Sequence, residues 1–174
     1  MTTNKLLHVC CASCALVALE RWESISLFFY NPSIPTDEYE RRYSDVRKIA
    51  SIYEVPIIDA SHDHDAWLKR VKGMEAEPEN GKRCMVCYQD RLEQAYKAAV
   101  DNGFDGFATT LTLSPHKNAQ IINRIGKEIG GEFYISSDFK KQDGFNLSVR
   151  LSRKYGLYRQ TFCGCEMSMQ SPRL

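Results

Sequence analysis

The sequence has no run of about 18 or more apolar residues, so no membrane span is expected. It has no Gly-x-Gly-x-x-Gly and no Walker A motif, so the nucleotide-binding forms of an α/β sheet lack their fingerprint here. No internal repeat, low-complexity segment or evident linker interrupts it, and the expected organisation is a single domain over residues 1–174. Neither charge sign is in excess: 23 Lys and Arg against 22 Asp and Glu leave +1, so no global field draws the chain onto nucleic acid. The opening Met-Thr-Thr-Asn-Lys lacks the apolar stretch of a signal peptide, and a cytoplasmic location is expected.

What the chain does hold is cysteine, seven in all. Structural disulfides are rare in a reducing compartment, so metal or redox chemistry becomes the leading reason for them. Three of the seven, Cys10, Cys11 and Cys14, follow the apolar Leu6-Leu7-His8-Val9. That run reads as a buried strand turning straight into a helix. The carboxyl end of a strand and the next helix N-terminus form the usual ligand site of an open α/β sheet. Amide groups and the helix dipole favour anions there, thiolates included.

Hydrophobic periodicity extends this reading along the chain. Strands are expected over residues 5–10, 26–30, 55–58, 107–110 and 132–135. Helices are expected over 11–22, from Thr36 as N-cap to about 53, over 63–72, and from about 84 to 102. A helix starting at Ser114-Pro115 and ending at Gly130-Gly131 follows, then a last one over 146–155. Residues 73–83 read as a loop. Strands alternating with helices mean βαβ units, so the expected fold class is α/β: a Rossmann-like doubly wound, mainly parallel sheet of about five strands, helices on both faces.

The remaining cysteines form two groups, Cys84-Met85-Val86-Cys87 and Cys163-Gly164-Cys165. Cys84 and Cys87 are three apart and point the same way from a first helical turn. Four thiolates from two segments are a normal ligand set for an iron–sulfur cluster or a structural zinc, and metal-free thiols are the third reading. Cys11-Ala-Ser-Cys14 alone also reads as a thioredoxin-type pair, although no Trp precedes it. Cys163-Gly-Cys165 reads as a redox-active pair, as extra metal ligands, or as an inert reduced pair.

Together these residues resemble the cobalamin-independent epoxyqueuosine reductases, the QueH family. The resemblance runs through His8-Val9-Cys10-Cys11-Ala12, Phe29-Tyr30-Asn31-Pro32 with Ile34, and Glu38-Tyr39 leading to Arg41-Arg42. It continues through Arg83-Cys84-Met85-Val86-Cys87-Tyr88 with Arg91-Leu92, and Thr109-Thr110-Leu111-Thr112 with Ser114-Pro115-His116-Lys117. Phe139-Lys140-Lys141 with Gly144, and Tyr158-Arg159-Gln160 before Phe162-Cys163-Gly164-Cys165, complete it. The combination of Cys-Cys, Cys-x-x-Cys and Cys-Gly-Cys is far more specific than any one motif. The resemblance implies reduction of the epoxide of epoxyqueuosine, at the wobble position of a tRNA, to the alkene of queuosine. It implies a [4Fe-4S] cluster on Cys10, Cys11, Cys84 and Cys87, and a redox-active pair at Cys163 and Cys165. Cys14 is left as a ligand of a second, adjacent iron or as a residue packed at the helix start. The electron donor is unidentified.

Such chemistry also needs a proton donor and a way to hold a nucleotide. His8, Tyr30 and His116 stand near strand ends or helix starts. Tyr30, Tyr88, Phe139 and Tyr158 are candidates to stack a base, and Arg41, Arg42, Lys117, Lys140, Lys141 and Arg159 to hold phosphates. Residues 138–160 carry six basic side chains against two acidic ones, compatible with a phosphate-rich partner or with a plain solvated face. The rival readings are a zinc-stabilised RNA-binding module without catalysis, a sulfur-transferring tRNA-modifying enzyme and a thiol–disulfide oxidoreductase.

Overall fold

β1 (Lys5–Val9) and β2 (Ile25–Phe29) are almost wholly buried apolar runs, the signature of parallel strands covered on both faces. They pair in parallel with Leu7 opposite Leu27 and Val9 opposite Phe29. The computed structural model describes residues 3–162 and 164–170. Between the two strands runs α1 (Ala12–Arg21), and after β2 comes the long α2 (Thr36–Tyr53). Next in order are β3 (Ile57–Ile58), α3 (His64–Arg70), α4 (Lys82–Asp101), β4 (Gly106–Thr109), α5 (Ala119–Gly130) and α6 (Gly144–Lys154). The sheet order is β3-β2-β1-β4, all parallel.

Strand residues alternate between two cores, as a period of two requires. Leu7, Val9, Leu27 and Phe29 pack with Ala15 and Leu16 of α1, Val46 and Ile49 of α2 and Leu151 of α6. Leu6, Phe28 and Phe107 pack on the other face with Tyr88, Leu92 and Ala95 of α4 and Ile122 of α5. Helices therefore cover both faces, as the alternation of elements predicts. Chain order runs outward from β1 to β3, then returns to β4 on the far side of β1. The loops after β1 and β4 thus flank a topological switch point, where open α/β sheets bind ligands.

Three expectations are corrected. Among the described residues the sheet has four strands: the expected fifth, over 132–135, is a 3₁₀ turn (Gly131–Phe133) followed by one parallel bridge between Phe107 and Tyr134. Tyr134 instead lays its ring against Gly126, where any Cβ would sit about 2.4 Å from ring carbons. The third strand is only Ile57–Ile58, because Glu54 turns left-handed (φ 53°) and Pro56 has no N–H for a ladder. Ser114-Pro115 does not start α5. Residues 114–117 close a turn of their own, with the Lys117 amide donating to the Ser114 carbonyl at 3.1 Å. Asn118 caps the helix, its side-chain oxygen accepting from the amides of Gln120 (2.9 Å) and Ile121 (3.3 Å).

Candidate functional site

β1 delivers Cys10 and Cys11 to the switch point, and Cys11, extended at φ −164°, is the N-cap residue of α1. Cys14 follows one turn later. The sulfurs of Cys10, Cys11 and Cys14 all lie within 4.8 Å of one another, and those of Cys11 and Cys14 are 3.1 Å apart. Hydrogen bonding with Cys10 and Cys11, followed by burial, pushes the Cys14 thiol well up from its ordinary value. The helix-dipole expectation of an easily lost proton is thus outweighed at Cys14 by the neighbouring sulfurs and by burial.

Cys84 and Cys87 come from the first turns of α4. Arg83, buried, ties residues 73–81 down by donating to the carbonyls of Met74 and Glu77, both at 2.8 Å. Asn80, left-handed at φ 65°, donates its backbone N–H to the Cys84 sulfur (3.2 Å) and its side-chain amide to the His116 carbonyl (3.0 Å). Cys84, Cys87 and Cys165 line one small cleft with Lys117 and Trp67. Burial raises the Cys84 thiol, and Cys87 and Cys165 add to it, opposed by the Asn80 amide and by Lys117. Cys10, Cys11, Cys14 and Cys84 share one apolar cluster. The structure thus gathers one tight trio and, beside it, a second group that contains one residue of the expected C-terminal pair. No disulfide joins the six described cysteines. Cys163, the other member of that pair, lies outside the described residues.

A polar hub joins the two groups. Arg91, on α4, is 1% exposed. Its Nε donates to the Cys87 sulfur at 3.1 Å, and its Nη2 to Asn31 Oδ1 (2.5 Å) and Ser33 Oγ (2.7 Å). Asn31 in turn donates to the Cys10 carbonyl at 3.0 Å, and Ser33 to the Gly164 carbonyl at 3.1 Å.

A cavity of about 250 Å³ opens against Cys11 and Cys14. Ser13, His116, Arg159 and Gln160 line it with polar side chains, whereas the hydroxyls of Ser148 and Ser152 in the same wall are turned into the fold, donating to the Phe145 carbonyl (2.8 Å) and the Ser148 carbonyl (2.7 Å). Phe145, 45% exposed on the first turn of α6, stands at its wall. Sequence reading passed over Phe145. The signal was there: it is an aromatic three residues before Ser148 and seven before Ser152, at the edge of the buried stripe of α6.

Several expected roles change. His8 is fully buried and neutral: Nε2 donates to the Tyr30 carbonyl (2.9 Å) and Nδ1 accepts from the Thr109 hydroxyl (2.8 Å). Burial, with the Arg91 charge, holds its pKa down at about 3. It clamps β1 to the ends of β2 and β4. Tyr30 donates to Asp90 at 3.0 Å, and burial raises its phenol. Tyr88 and Phe139 are core residues, 2% and 3% exposed. Arg42 is buried against Glu38 and the Phe162 carbonyl, and Lys117 is buried too. Lys140 donates to the carbonyls of Thr112 and Lys117. Arg41, Lys141 and Arg159 remain exposed, Arg41 lying over the Tyr158 ring at 4.8 Å.

The family model of the epoxyqueuosine reductase QueH matches residues 5–171. An epoxyqueuosine reductase QueH of Streptococcus pyogenes serotype M1 is 40% identical over 92% of this chain and 68% of its own length. Another, of Staphylococcus epidermidis, is 38% identical over 92% of this chain and 74% of its own. One from Thermotoga maritima is 35% identical over 97% and 91%. With a parallel α/β sheet that brings cysteines from β1 and α4 to its switch point, and a match over nearly its whole length, this chain belongs to the epoxyqueuosine reductase QueH family of oxidoreductases.

Proposed function

We propose that the chain reduces the epoxide of epoxyqueuosine, at the wobble position of a tRNA, to the alkene of queuosine. The balance is two electrons and two protons in, one water out. The observation that carries this reading is the pair of cysteine groups, linked through Arg91, in a chain of that family. Cys10, Cys11, Cys84 and Cys87 are the residues that would hold a [4Fe-4S] cluster, with Cys163 and Cys165 as the redox-active pair. The donor set supports the assignment: soft thiols from two segments, buried among apolar side chains, with a guanidinium facing one sulfur. When bound, the cluster supplies electrons at a potential no side chain offers.

The chain's own residues do the rest. The cavity against Cys11 and Cys14 receives the modified base, with Phe145 presenting a stacking face and Ser13, Gln160 and Arg159 binding its polar edges. His116, in the same wall, is the proton source for the leaving oxygen. The tight Cys10–Cys11–Cys14 trio supports a second reading of one detail, in which Cys14 ligates a second iron beside the cluster. Reducing equivalents come from a donor outside the chain.

The test is analysis of iron, acid-labile sulfide and zinc in protein purified without oxygen, beside conversion of epoxyqueuosine tRNA with a chemical reductant. About four iron and four sulfide per chain are expected, with Cys84→Ser losing most of both and all turnover. Iron in clear excess of sulfide supports the adjacent iron, and Cys14→Ser then removes only the excess. Stoichiometric zinc without sulfide would overturn the reductive mechanism and leave the zinc-stabilised RNA-binding module.

A further inference from the structure

Arg91 is a buried cation that the mechanism above does not use. Burying a guanidinium is costly unless every face of it is met. Here its nitrogens are met in a particular way: Nε by the sulfur of Cys87, Nη2 by Asn31 and Ser33 of the loop after β2, and Nη1 by the Tyr30 carbonyl at 3.5 Å. Each loop residue passes the contact on. Asn31 holds the carbonyl of Cys10, and Ser33 holds the carbonyl of Gly164, the residue between the two C-terminal cysteines. The loop is pinned from the tail side as well, since the Glu166 amide donates to the Ser33 carbonyl at 3.1 Å. One side chain therefore reaches all three cysteine segments, directly or through one intermediary.

The geometry points to Arg91 as a positioning residue that raises the reduction potential of the metal centre through Cys87 and fixes the C-terminal cysteine segment against it through Ser33. This rests on the reading that Cys87 is a ligand. A positive charge and an N–H donor at a ligating sulfur favour the form of the centre with one more electron. Arg suits the task better than Lys because its planar fork serves the sulfur and the loop at once.

The experiment is a potentiometric titration, followed by electron paramagnetic resonance, of anaerobically loaded wild type, Arg91→Met and Arg91→Lys. It is paired with the rate of alkylation of Cys165 by iodoacetamide in the metal-free wild type and Ser33→Ala. Arg91→Met is expected to keep its iron and sulfide and to titrate at a more negative potential. Arg91→Lys, which keeps the charge and loses the fork, is expected between the two. Ser33→Ala is expected to leave the potential alone and to alkylate at Cys165 several-fold faster. A fully loaded Arg91→Met with the wild-type potential would overturn the tuning role. If Arg91→Met does not fold, a wild-type potential in Arg91→Lys does the same. An unchanged alkylation rate in Ser33→Ala would overturn the coupling to the C-terminal segment. Absence of iron and sulfide in the wild type would instead sink the cluster reading, and this inference with it.

Discussion

His8 sits one strand position before Val9 and two before the first cysteine, and its ring is closed on both sides by bonds within the fold. Its folded pKa of about 3 lies below the ordinary 6.5, so between those values the unfolded chain holds a proton that the folded chain does not. The stability associated with neutral His8 is complete above about pH 6.5 and drains away as the pH falls toward 3. At pH 5 the loss is about 2 kcal/mol. Urea unfolding of the metal-free protein at pH 7 and pH 5 should show His8→Gln losing about 2 kcal/mol less than wild type over that interval. Equal losses would show that His8 is not the group responsible. The strand slot of His8 was legible in the sequence. Its neutrality was not, because it depends on Thr109, Tyr30 and Arg91, which are remote in the chain. Arg91 itself is hidden in the same way: on a helix stripe beside Tyr88 and Leu92, an Arg reads as a solvated charge until the loop after β2 is folded over it.

At the scale of elements, α6 does two jobs with two faces. Leu151 and Leu147 bury toward α1, while Phe145 keeps 45% of its surface at the wall of the cavity. The helix can start there only because position 144 is glycine: a Cβ would lie 1.7 Å from the Phe139 carbonyl oxygen. Truncating Phe145 removes a stacking face and little packing. Phe145→Ala should change unfolding free energy by less than about 0.5 kcal/mol and raise KM for the tRNA substrate about tenfold, the scale of one base–aromatic stack. A thermal melt and initial rates on the same sample decide it, and an unchanged KM would remove Phe145 from the binding surface. The elements that sequence patterning found best are those with continuous apolar runs or long amphipathic stripes: β1, β2, α2 and α4. It failed where local chemistry overrode the pattern, at Pro56, at the 114–117 turn, and at Tyr134, whose ring packs on Gly126 while only one bridge forms.

Across the whole molecule, near-neutral net charge conceals an uneven surface. Lys141, Arg150, Arg153, Lys154 and Arg159 are exposed over the C-terminal third, whereas Lys140 is tied inward to Thr112 and Lys117. The sequence shows the charges and not which of them are free to meet a phosphate. The double variant Lys141→Glu with Arg153→Glu should weaken tRNA binding far more at low salt than at high salt. Its plot of log affinity against log salt should be shallower by about two units. Wild-type binding at low salt would place the tRNA on another face.

The sheet that carries this site is narrow, and its borders are blunter still. On one side stands a strand of two residues, on the other β4 with a single bridge beside it. Neither border offers the long row of open amides and carbonyls on which a second chain adds a strand. However concentrated the protein becomes, its copies thus lack, among the described residues, the template from which ordered aggregates grow.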